Sequence, residues 1–156
     1  MAAIMSNPYD ALRLDNQLCF PLYSCAKEGV RQDRTPLEPL GLTYTQYIVM
    51  MVLWECGNIT EKALGERLHL DSGTLAPLLK RLDKRGLVKR ERPDQNERFL
   101  QITLTDAGIA LQENALSVPE TMKNCIGLST EECSILRKLL DKSLSTMERR
   151  TKEERI

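Results

Sequence analysis

Two thiols flank a proline in the stretch QLCFPLYSC. Pro21 lacks the N–H that would bond to the carbonyl of Gln17, so a helix in this region must kink or begin again around Cys19. A helix start offers free backbone amides and a positive dipole end, and both favour the thiolate form of a cysteine. Tyr23 lies four residues after Cys19 on the same helical face, from which its hydroxyl can donate to the sulfur. These features predict a reactive thiol at Cys19, although an isolated cysteine on an apolar face is more often a packing residue.

The other cysteines show no pattern of a bridge or a metal site. Cys19 and Cys25 cannot bridge within an intact helix, because six residues span about 9 Å of rise, whereas bridged Cα atoms lie within about 7 Å. The chain has five cysteines and one histidine, without a CxxC pair, so we expect no metal and no cofactor. In a reducing compartment we expect free thiols, most of them buried as small apolar residues. Cys56 is interpreted as a packing residue, and Cys25 as a packing or surface residue.

The composition indicates a globular protein and excludes several classes. The chain has 156 residues with 42% apolar content, enough for one core, and its 22 basic and 22 acidic residues cancel. The longest apolar run, Ile48 to Trp54, is far short of the roughly 20 residues that a membrane helix needs. We therefore expect a cytoplasmic protein without a membrane partner. A balanced total charge can still conceal a basic surface, so local clusters decide whether nucleic acid is a partner.

The hydrophobic periodicity predicts a mostly helical chain. After a loose start through residue 9, apolar residues at every fourth place indicate a helix from Leu12 to about Arg31. The capping-box sequence TYTQ precedes an almost wholly apolar segment, which indicates a buried helix that ends near Gly57. Thr60 can cap a short third helix.

A fourth helix is predicted up to Gly86, which is a good helix stop. Asp71, Ser72 and Thr74 are three possible caps for it. Pro77 is comfortable only in the first turn of a helix, so the regular helix should begin near Thr74.

The period then changes from about 3.6 to 2, so residues 87–104 are predicted to form a β-hairpin that turns at PDQN. A fifth helix with a bend at Pro119 follows, and a second capping box, STEE, opens a last amphipathic helix. The first and last helices carry apolar stripes that the small module between them cannot cover. We therefore expect them to intertwine with a second copy of the chain.

The order helix, turn, helix, hairpin is typical of a winged helix-turn-helix, whose second helix docks in the major groove of DNA. Between Lys80 and Arg98 the chain has eight basic and four acidic residues. A solvated face would explain a charge run alone, but the cluster together with the element order favours DNA binding. The expected contacts are polar groups at the helix start, basic groups further along and arginines of the wing: Asp71, Ser72, Thr74, Pro77, Lys80, Arg81, Arg90, Arg92 and Arg98.

Longer segments carry a specific resemblance. The sequences LDNQLCFPLYS, LGLTYTQY, LWE, LDSGTLAPLLKRLDKRGL and ERFLQITLTDAG resemble those of the organic hydroperoxide resistance regulators, a branch of the MarR family. The resemblance extends from Leu14 to the last helix. It implies a fold that is mainly α with a small β-wing, a MarR-like intertwined homodimer, and a repressor rather than an enzyme.

The resemblance also implies a redox switch. The reduced dimer would bind a palindromic operator in double-stranded DNA and leave it when an organic hydroperoxide oxidises Cys19, which matches the family's sensing cysteine. In the two-cysteine type, the oxidised sulfur forms a disulfide with a cysteine of the other subunit that precedes the last helix. Cys125, in KNCIG, falls in that region, and Cys133 is the competing candidate. We favour Cys125, because a linker residue moves more readily than a packed helical one.

The chain departs from the family's pattern at two positions. The family holds the sensing thiol with tyrosine hydroxyls, and Tyr44 matches one of them, whereas Asp33 stands at the second matching position. An acidic group near a thiol would raise the thiol's pKa. In the wing, Asn96 replaces the family's usual aspartate two residues before Arg98, so a hydrogen bond between the two side chains would lack charge assistance.

Three segments follow from these patterns. Residues 1–42 form a tail and a dimerisation helix, 43–104 the winged helix-turn-helix, and 105–156 the C-terminal dimerisation helices. One rival function keeps the DNA-binding module but makes a small apolar ligand between the helices the trigger. Another is a thiol peroxidase, against which the charged wing argues. Replacing Cys19 by Ser separates the redox switch from the ligand switch.

Overall fold

A computed structural model describes residues 7–92 and 99–153 of the chain. Within these ranges, three short 3-10 turns, Pro8–Leu12, Leu14–Asn16 and Glu38–Leu40, accompany eight α-helices and three strands. The α-helices are α1 (Cys19–Gln32), α2 (Arg34–Leu37), α3 (Tyr44–Cys56), α4 (Glu61–Leu68), α5 (Ser72–Lys84), α6 (Asp106–Asn114), α7 (Val118–Ile126) and α8 (Thr130–Glu153). The strands are β1 (Asn58–Thr60), β2 (Val88–Glu91) and β3 (Gln101–Leu104). Within the described ranges, no helix is long and apolar enough to cross a membrane.

The first long helix begins at Cys19, later than the predicted start at Leu12. The Gln17 side chain donates to the carbonyl of Ala11 at 2.5 Å, which holds the preceding residues in 3-10 turns. Pro21 lacks an amide proton, so no regular helical bond can run from residue 21 back to residue 17. The predicted restart around Cys19 is therefore confirmed, whereas the predicted helix upstream of it is wrong.

Helix α3 supplies the centre of the core. A capping box fixes its start, because the Gln46 amide oxygen accepts from the Thr43 N–H at 3.0 Å and the Gln46 N–H donates to the Thr43 hydroxyl at 3.3 Å. Val49, Met50 and Leu53 are completely buried. The core also contains residues of α2, α4, α5 and the sheet, including Leu37, Leu64, Leu75, Leu79, Leu82, Val88 and Ile102.

Helix α5 begins at Ser72, two residues before the predicted start. Asp71 is its N-cap and accepts from the Thr74 N–H at 2.9 Å. Pro77 is the sixth residue of the helix rather than a first-turn residue. The missing bond at Pro77 would have reached Gly73, whose exposed position lets water solvate the carbonyl that is left free.

The sheet has three strands in the order β1-β3-β2, both pairs antiparallel. The predicted hairpin strands are confirmed, with Val88 opposite Leu104 and Glu91 opposite Gln101, whereas the predicted turn at PDQN lies outside the described residues. Strand β1 was not predicted, because its three residues are too few for a periodic pattern and pair with a strand about forty residues away.

The predicted fifth helix is two helices rather than one bent helix. Helix α6 ends at Asn114, and Pro119 is the second residue of α7, where a proline needs no hydrogen-bond partner. The second capping box is confirmed at the start of α8, where Ser129 and Glu132 exchange hydrogen bonds of 2.8 and 3.2 Å. The chain divides into two compact units, one ending at Met122 and one beginning at Lys123.

Candidate functional site

The first turn of α5 presents short polar side chains to solvent. Asp71, Ser72 and Thr74 are all exposed. The Asp71 carboxylate accepts from both the Thr74 hydroxyl and the Thr74 N–H, each at 2.9 Å, and these bonds hold the pKa of Asp71 below its ordinary value. Asp71 is therefore a structural cap as well as a surface group. The N-terminal end of α5 combines polar atoms with the positive end of the helix dipole, the arrangement that binds phosphate.

A tight turn fixes α4 against α5. His69 ends α4 in the left-handed conformation with φ of 53°, and the Leu70 N–H donates to the carbonyl of Gly65 at 2.9 Å. A Cβ at position 65 would lie 2.8 Å from the Leu70 carbonyl oxygen, so glycine is required there. The turn gives α4 and α5 the geometry of a helix-turn-helix.

Helix α5 has one buried and one exposed face. Leu75, Leu79 and Leu82 lie inside, whereas Lys80 and Arg81 lie in solvent. The last basic group, Arg85, behaves differently from these two, because its guanidinium donates to the carbonyl oxygens of Leu40 and Gly41 at 3.1 and 2.5 Å. Lys80 and Arg81 thus stay available to a ligand, while Arg85 ties the end of α5 to the segment before α3.

The wing presents its predicted arginines unequally. Arg92 is exposed at the end of β2, whereas Arg90 is mostly buried and lies 3.7 Å from the carboxylate of Glu61. Asn96 and Arg98 lie outside the described residues, so their predicted roles stay predictions. Arg90 was expected on the DNA-facing surface, and the structure instead pairs it with the start of α4.

Cys19 is the exposed first residue of α1. Pro21 follows within the first turn, as the sequence predicts. Tyr23 is 62% exposed, and the ammonium of Lys27 lies 5.8 Å from the centre of its ring. In a single chain, the Cys19 thiol is therefore open to solvent and to small molecules.

Asp33 caps the other end of α1, and Tyr44 is the first residue of α3. Fourteen residues of helix separate Asp33 from Cys19, a rise of about 20 Å. Burial raises the pKa of Tyr44, and the negative charge of Asp33 raises it further. Burial also raises the pKa of Asp33 itself. Within one chain the charge of Asp33 therefore acts on Tyr44, and the length of α1 keeps Asp33 away from Cys19.

The remaining cysteines are more exposed than the sequence predicted. Cys25, Cys56 and Cys125 are exposed, and Cys133 is half-buried. Cys56 accepts a hydrogen bond of 3.0 Å from Arg67, which also forms an ion pair with Glu55. The expectation of mostly buried thiols is wrong for the single chain, because α1 has an uncovered face and Cys56 and Cys125 lie at the ends of α3 and α7.

Within the single chain, α1 buries none of its residues, and neither does α8 over residues 130–150, as the sequence led us to expect. Helix α1 exposes Phe20, Leu22 and Val30, each more than 35%. Helix α8 exposes the apolar stripe Ile135, Leu136, Leu139, Leu140, Leu144 and Met147. Apolar faces of this size mark interaction surfaces. Among the described residues, no group of three or more His, Cys, Asp or Glu side chains could hold a metal ion.

Comparison with known proteins places this geometry among transcriptional regulators. Residues 35–114 match the family model described as transcriptional regulator SarA/Rot. The organic hydroperoxide resistance transcriptional regulator of Bacillus subtilis strain 168 is 41% identical over 143 residues, which is 92% of this chain and 97% of that protein.

Two solved structures of AbfR, a protein of Staphylococcus epidermidis, resemble the chain at 38% identity. Reduced AbfR bound to DNA has a TM-score of 0.72 and covers 88% of this chain and 96% of its own. Disulfide-formed AbfR has a TM-score of 0.60 and covers 90% and 95%. The fold and its predicted class, mainly α with a β-wing, are thereby confirmed.

Proposed function

Because the chain belongs to the MarR and SarA/Rot winged-helix transcriptional regulators, and within them to the organic hydroperoxide resistance branch, we propose that it is a repressor controlled by oxidation of Cys19. The reduced protein binds a palindromic operator, and an organic hydroperoxide releases it. The observation that carries the proposal is that Cys19 is an exposed thiol at the first position of α1, in a chain related to a regulator solved both reduced on DNA and as a disulfide. Operator binding places the protein in the cytoplasm.

The DNA-binding surface consists of the exposed side of α5 and the wing. Ser72 and Thr74 reach phosphates or base edges from the first turn, and Lys80 and Arg81 follow one to two turns later. Arg92 extends the same positive surface along the wing. A balanced total charge is compatible with this binding, because the basic residues cluster on the elements that meet the duplex.

A second copy of the chain covers the apolar faces of α1 and α8. A two-fold dimer places two copies of α5 about one DNA turn, roughly 34 Å, apart, which fits successive major grooves on a palindrome. The dimer also allows Tyr44 of one copy to approach Cys19 of the other. Since α1 carries the chain about 20 Å from Cys19 to Asp33, whose charge acts on Tyr44, a Tyr44 hydroxyl that holds the thiol comes from the second copy, across an antiparallel contact of the two α1 helices.

Oxidation proceeds in two balanced steps. The Cys19 thiol loses its proton, and the thiolate attacks the terminal peroxide oxygen as the O–O bond breaks, so that Cys19 becomes a sulfenic acid. The leaving alkoxide takes up the proton that the thiol released and departs as an alcohol. The thiol of the partner's Cys125 then attacks that sulfur, and water leaves as the S–S bond forms. Cys125 is exposed near the end of α7, whereas the half-buried Cys133 lies within α8, with its Sγ 3.9 Å from the carbonyl of Leu128. The more accessible Cys125 is the better resolving thiol.

The test uses serine variants and a duplex that the unsubstituted protein selects from a random-sequence pool. Cumene hydroperoxide should release the unsubstituted protein and produce a covalent dimer on a non-reducing gel. Cys19→Ser should bind the duplex but stay bound, and Cys125→Ser should form no covalent dimer. Cys25→Ser, which removes a second exposed thiol of α1, is the matched control and should respond as the unsubstituted protein does.

The alternatives give other results. Normal release of Cys19→Ser would refute the thiol switch and favour a small apolar ligand. A covalent dimer that persists in Cys125→Ser but disappears in Cys133→Ser would identify Cys133 as the resolving thiol. A hundredfold loss of DNA affinity, about 2.8 kcal/mol, is enough to empty an operator that is moderately occupied.

A further inference from the structure

Arg90 points to the inner side of the sheet. In the antiparallel register, Arg90 on β2 is opposite Ile102 on β3, and Ile102 is opposite Ile59 on β1. Residues directly opposite each other share a face of a sheet, and Ile102 is completely buried. The neighbours Lys89 and Glu91 point to the opposite, exposed face. Arg90 is therefore separated from the surface that its neighbours present to solvent.

The guanidinium of Arg90 reaches across β3 to the first residue of α4. Its Nη2 lies 3.7 Å from Oε2 of Glu61, and the two side chains are only 16% and 19% exposed. The Nε of Arg90 is buried without a hydrogen-bond partner among the described residues. The Glu61 N–H also donates to the carbonyl of Leu100 at 2.9 Å, so the same residue contacts Arg90 of β2 and the residue that precedes β3.

This arrangement is unlike that of an arginine that binds phosphate. A long basic side chain on a free surface keeps its charged end in water, whereas the charged end of Arg90 is withdrawn beside the carboxylate of Glu61. Withdrawing both charges from water is costly, and a pair of this kind fixes geometry more than it stabilises the fold. The pair in this chain joins β2 of the wing to the first residue of α4.

We propose that Glu61 and Arg90 are positioning residues that hold the wing at the angle at which the wing and α5 meet the same duplex, and that Arg90 makes no contact with DNA. The proposal rests on the DNA-binding function proposed above. The proposal gives the acidic residue Glu61 a part in DNA recognition, although its charge alone would be expected to weaken DNA binding.

The direction in which one substitution changes the affinity for DNA tests the proposal. Glu61→Gln keeps the shape of the side chain and removes a negative charge, so charge alone predicts tighter DNA binding. Loss of the pair predicts the reverse, a weakening on the order of tenfold. Glu91→Gln is the matched control, because it removes the same charge from the exposed face of the same sheet and should bind the duplex at least as tightly as the unsubstituted protein.

The salt dependence separates positioning from direct contact. Each phosphate contact that is lost reduces the slope of log affinity against log salt by about 0.9. Arg90→Gln should weaken binding by a similar factor with an unchanged slope, and the double variant with Glu61→Gln should bind no more weakly than Arg90→Gln alone. Thermal unfolding of each variant confirms that the compared proteins are folded.

The experiment uses the reduced full-length protein and the selected duplex. Tighter or unchanged binding by Glu61→Gln, or a reduced salt slope in Arg90→Gln, overturns the inference and returns Arg90 to the DNA-contact surface. If the unsubstituted protein selects no duplex at all, the proposed function fails, and the inference fails with it. Weaker binding by Glu61→Gln together with an unchanged slope in Arg90→Gln supports it.

Discussion

The substitution Gly108→Ala, at the start of α6, has two opposite effects on stability: it raises helix propensity and it creates a clash with the backbone. Gly108 is buried, and a Cβ there would lie 2.0 Å from the carbonyl oxygen of Leu87 and 3.1 Å from Cδ2 of Leu104. Carbon and oxygen atoms in ordinary contact stay beyond about 3.3 Å, so α6 must retreat by roughly 1 Å from the segment that joins α5 to β2. The carbonyl belongs to the backbone and cannot rotate away as a side chain would.

The sizes of these effects predict that Gly108→Ala lowers the free energy of unfolding. Alanine gains up to about 1 kcal/mol of helix propensity over glycine. Overpacking costs about 1–3 kcal/mol. The retreat also lengthens two hydrogen bonds, from Trp54 Nε1 to the Gly108 carbonyl at 2.8 Å and from the Thr105 N–H to the Leu87 carbonyl at 3.2 Å, each worth about 1 kcal/mol. We expect the free energy of unfolding to fall by about 2–4 kcal/mol.

Urea unfolding followed by tryptophan fluorescence measures this change, since Trp54 is the single tryptophan and contacts the perturbed helix. Protein concentrations must be equal, because dimerisation shifts the apparent stability. The control is Ala107→Gly at the exposed neighbouring position, which should lose at most about 1 kcal/mol. Helix propensity alone predicts that Gly108→Ala is more stable and Ala107→Gly less stable than the unsubstituted protein. If Gly108→Ala is as stable as the unsubstituted protein or more so, the packing argument is refuted.

Three further predictions concern single side chains. Leu79→Ala removes a completely buried side chain of α5 and should lower the free energy of unfolding by about 2–5 kcal/mol in urea; a loss below about 1 kcal/mol would contradict its place in the core. Asp71→Ala removes the cap on Thr74 and should lower the melting temperature at neutral pH. Folding lowers the pKa of Asp71, so the stabilisation that its carboxylate supplies is lost as the pH falls through that pKa. The melting temperatures of the variant and the unsubstituted protein should therefore converge in acid. A difference that stays constant across the pH series would contradict a role for the ionised carboxylate. Asp33→Asn removes a negative charge beside Tyr44 and should lower the pKa of that phenol in an absorbance titration, assigned with Tyr44→Phe; an unchanged titration would place Asp33 too far away to act.

Features that depend on neighbours in sequence were predictable from the chain. The capping boxes at Thr43 and Ser129 and the helix stop at Gly86 arise from bonds or backbone angles within a few residues. The helix start at Cys19 belongs to the same class, since Pro21 acts on the turn that contains it. Element order and local charge then sufficed to predict the winged helix-turn-helix.

The candidate site was predicted only in part, because its geometry depends on distant residues. Strand β1 forms by pairing with β3, and its three residues are too few to show a pattern from which a strand could be predicted. The sequence assigns Arg90 to a basic cluster, and only the strand register turns it inward to Glu61. Likewise, Asp33 follows Cys19 by fourteen residues in sequence, and only the straight run of α1 shows that the two lie about 20 Å apart in one chain.

The sequence by itself determined most of the helices, the two wing strands, the caps and the helix start at Cys19, because each follows from bonds or patterns among residues a few positions apart. The tertiary structure decided which charges face solvent and which groups meet. Side-chain direction on a strand follows from its pairing partner, and contact between helices follows from packing, so neither can be obtained from a residue's own neighbours.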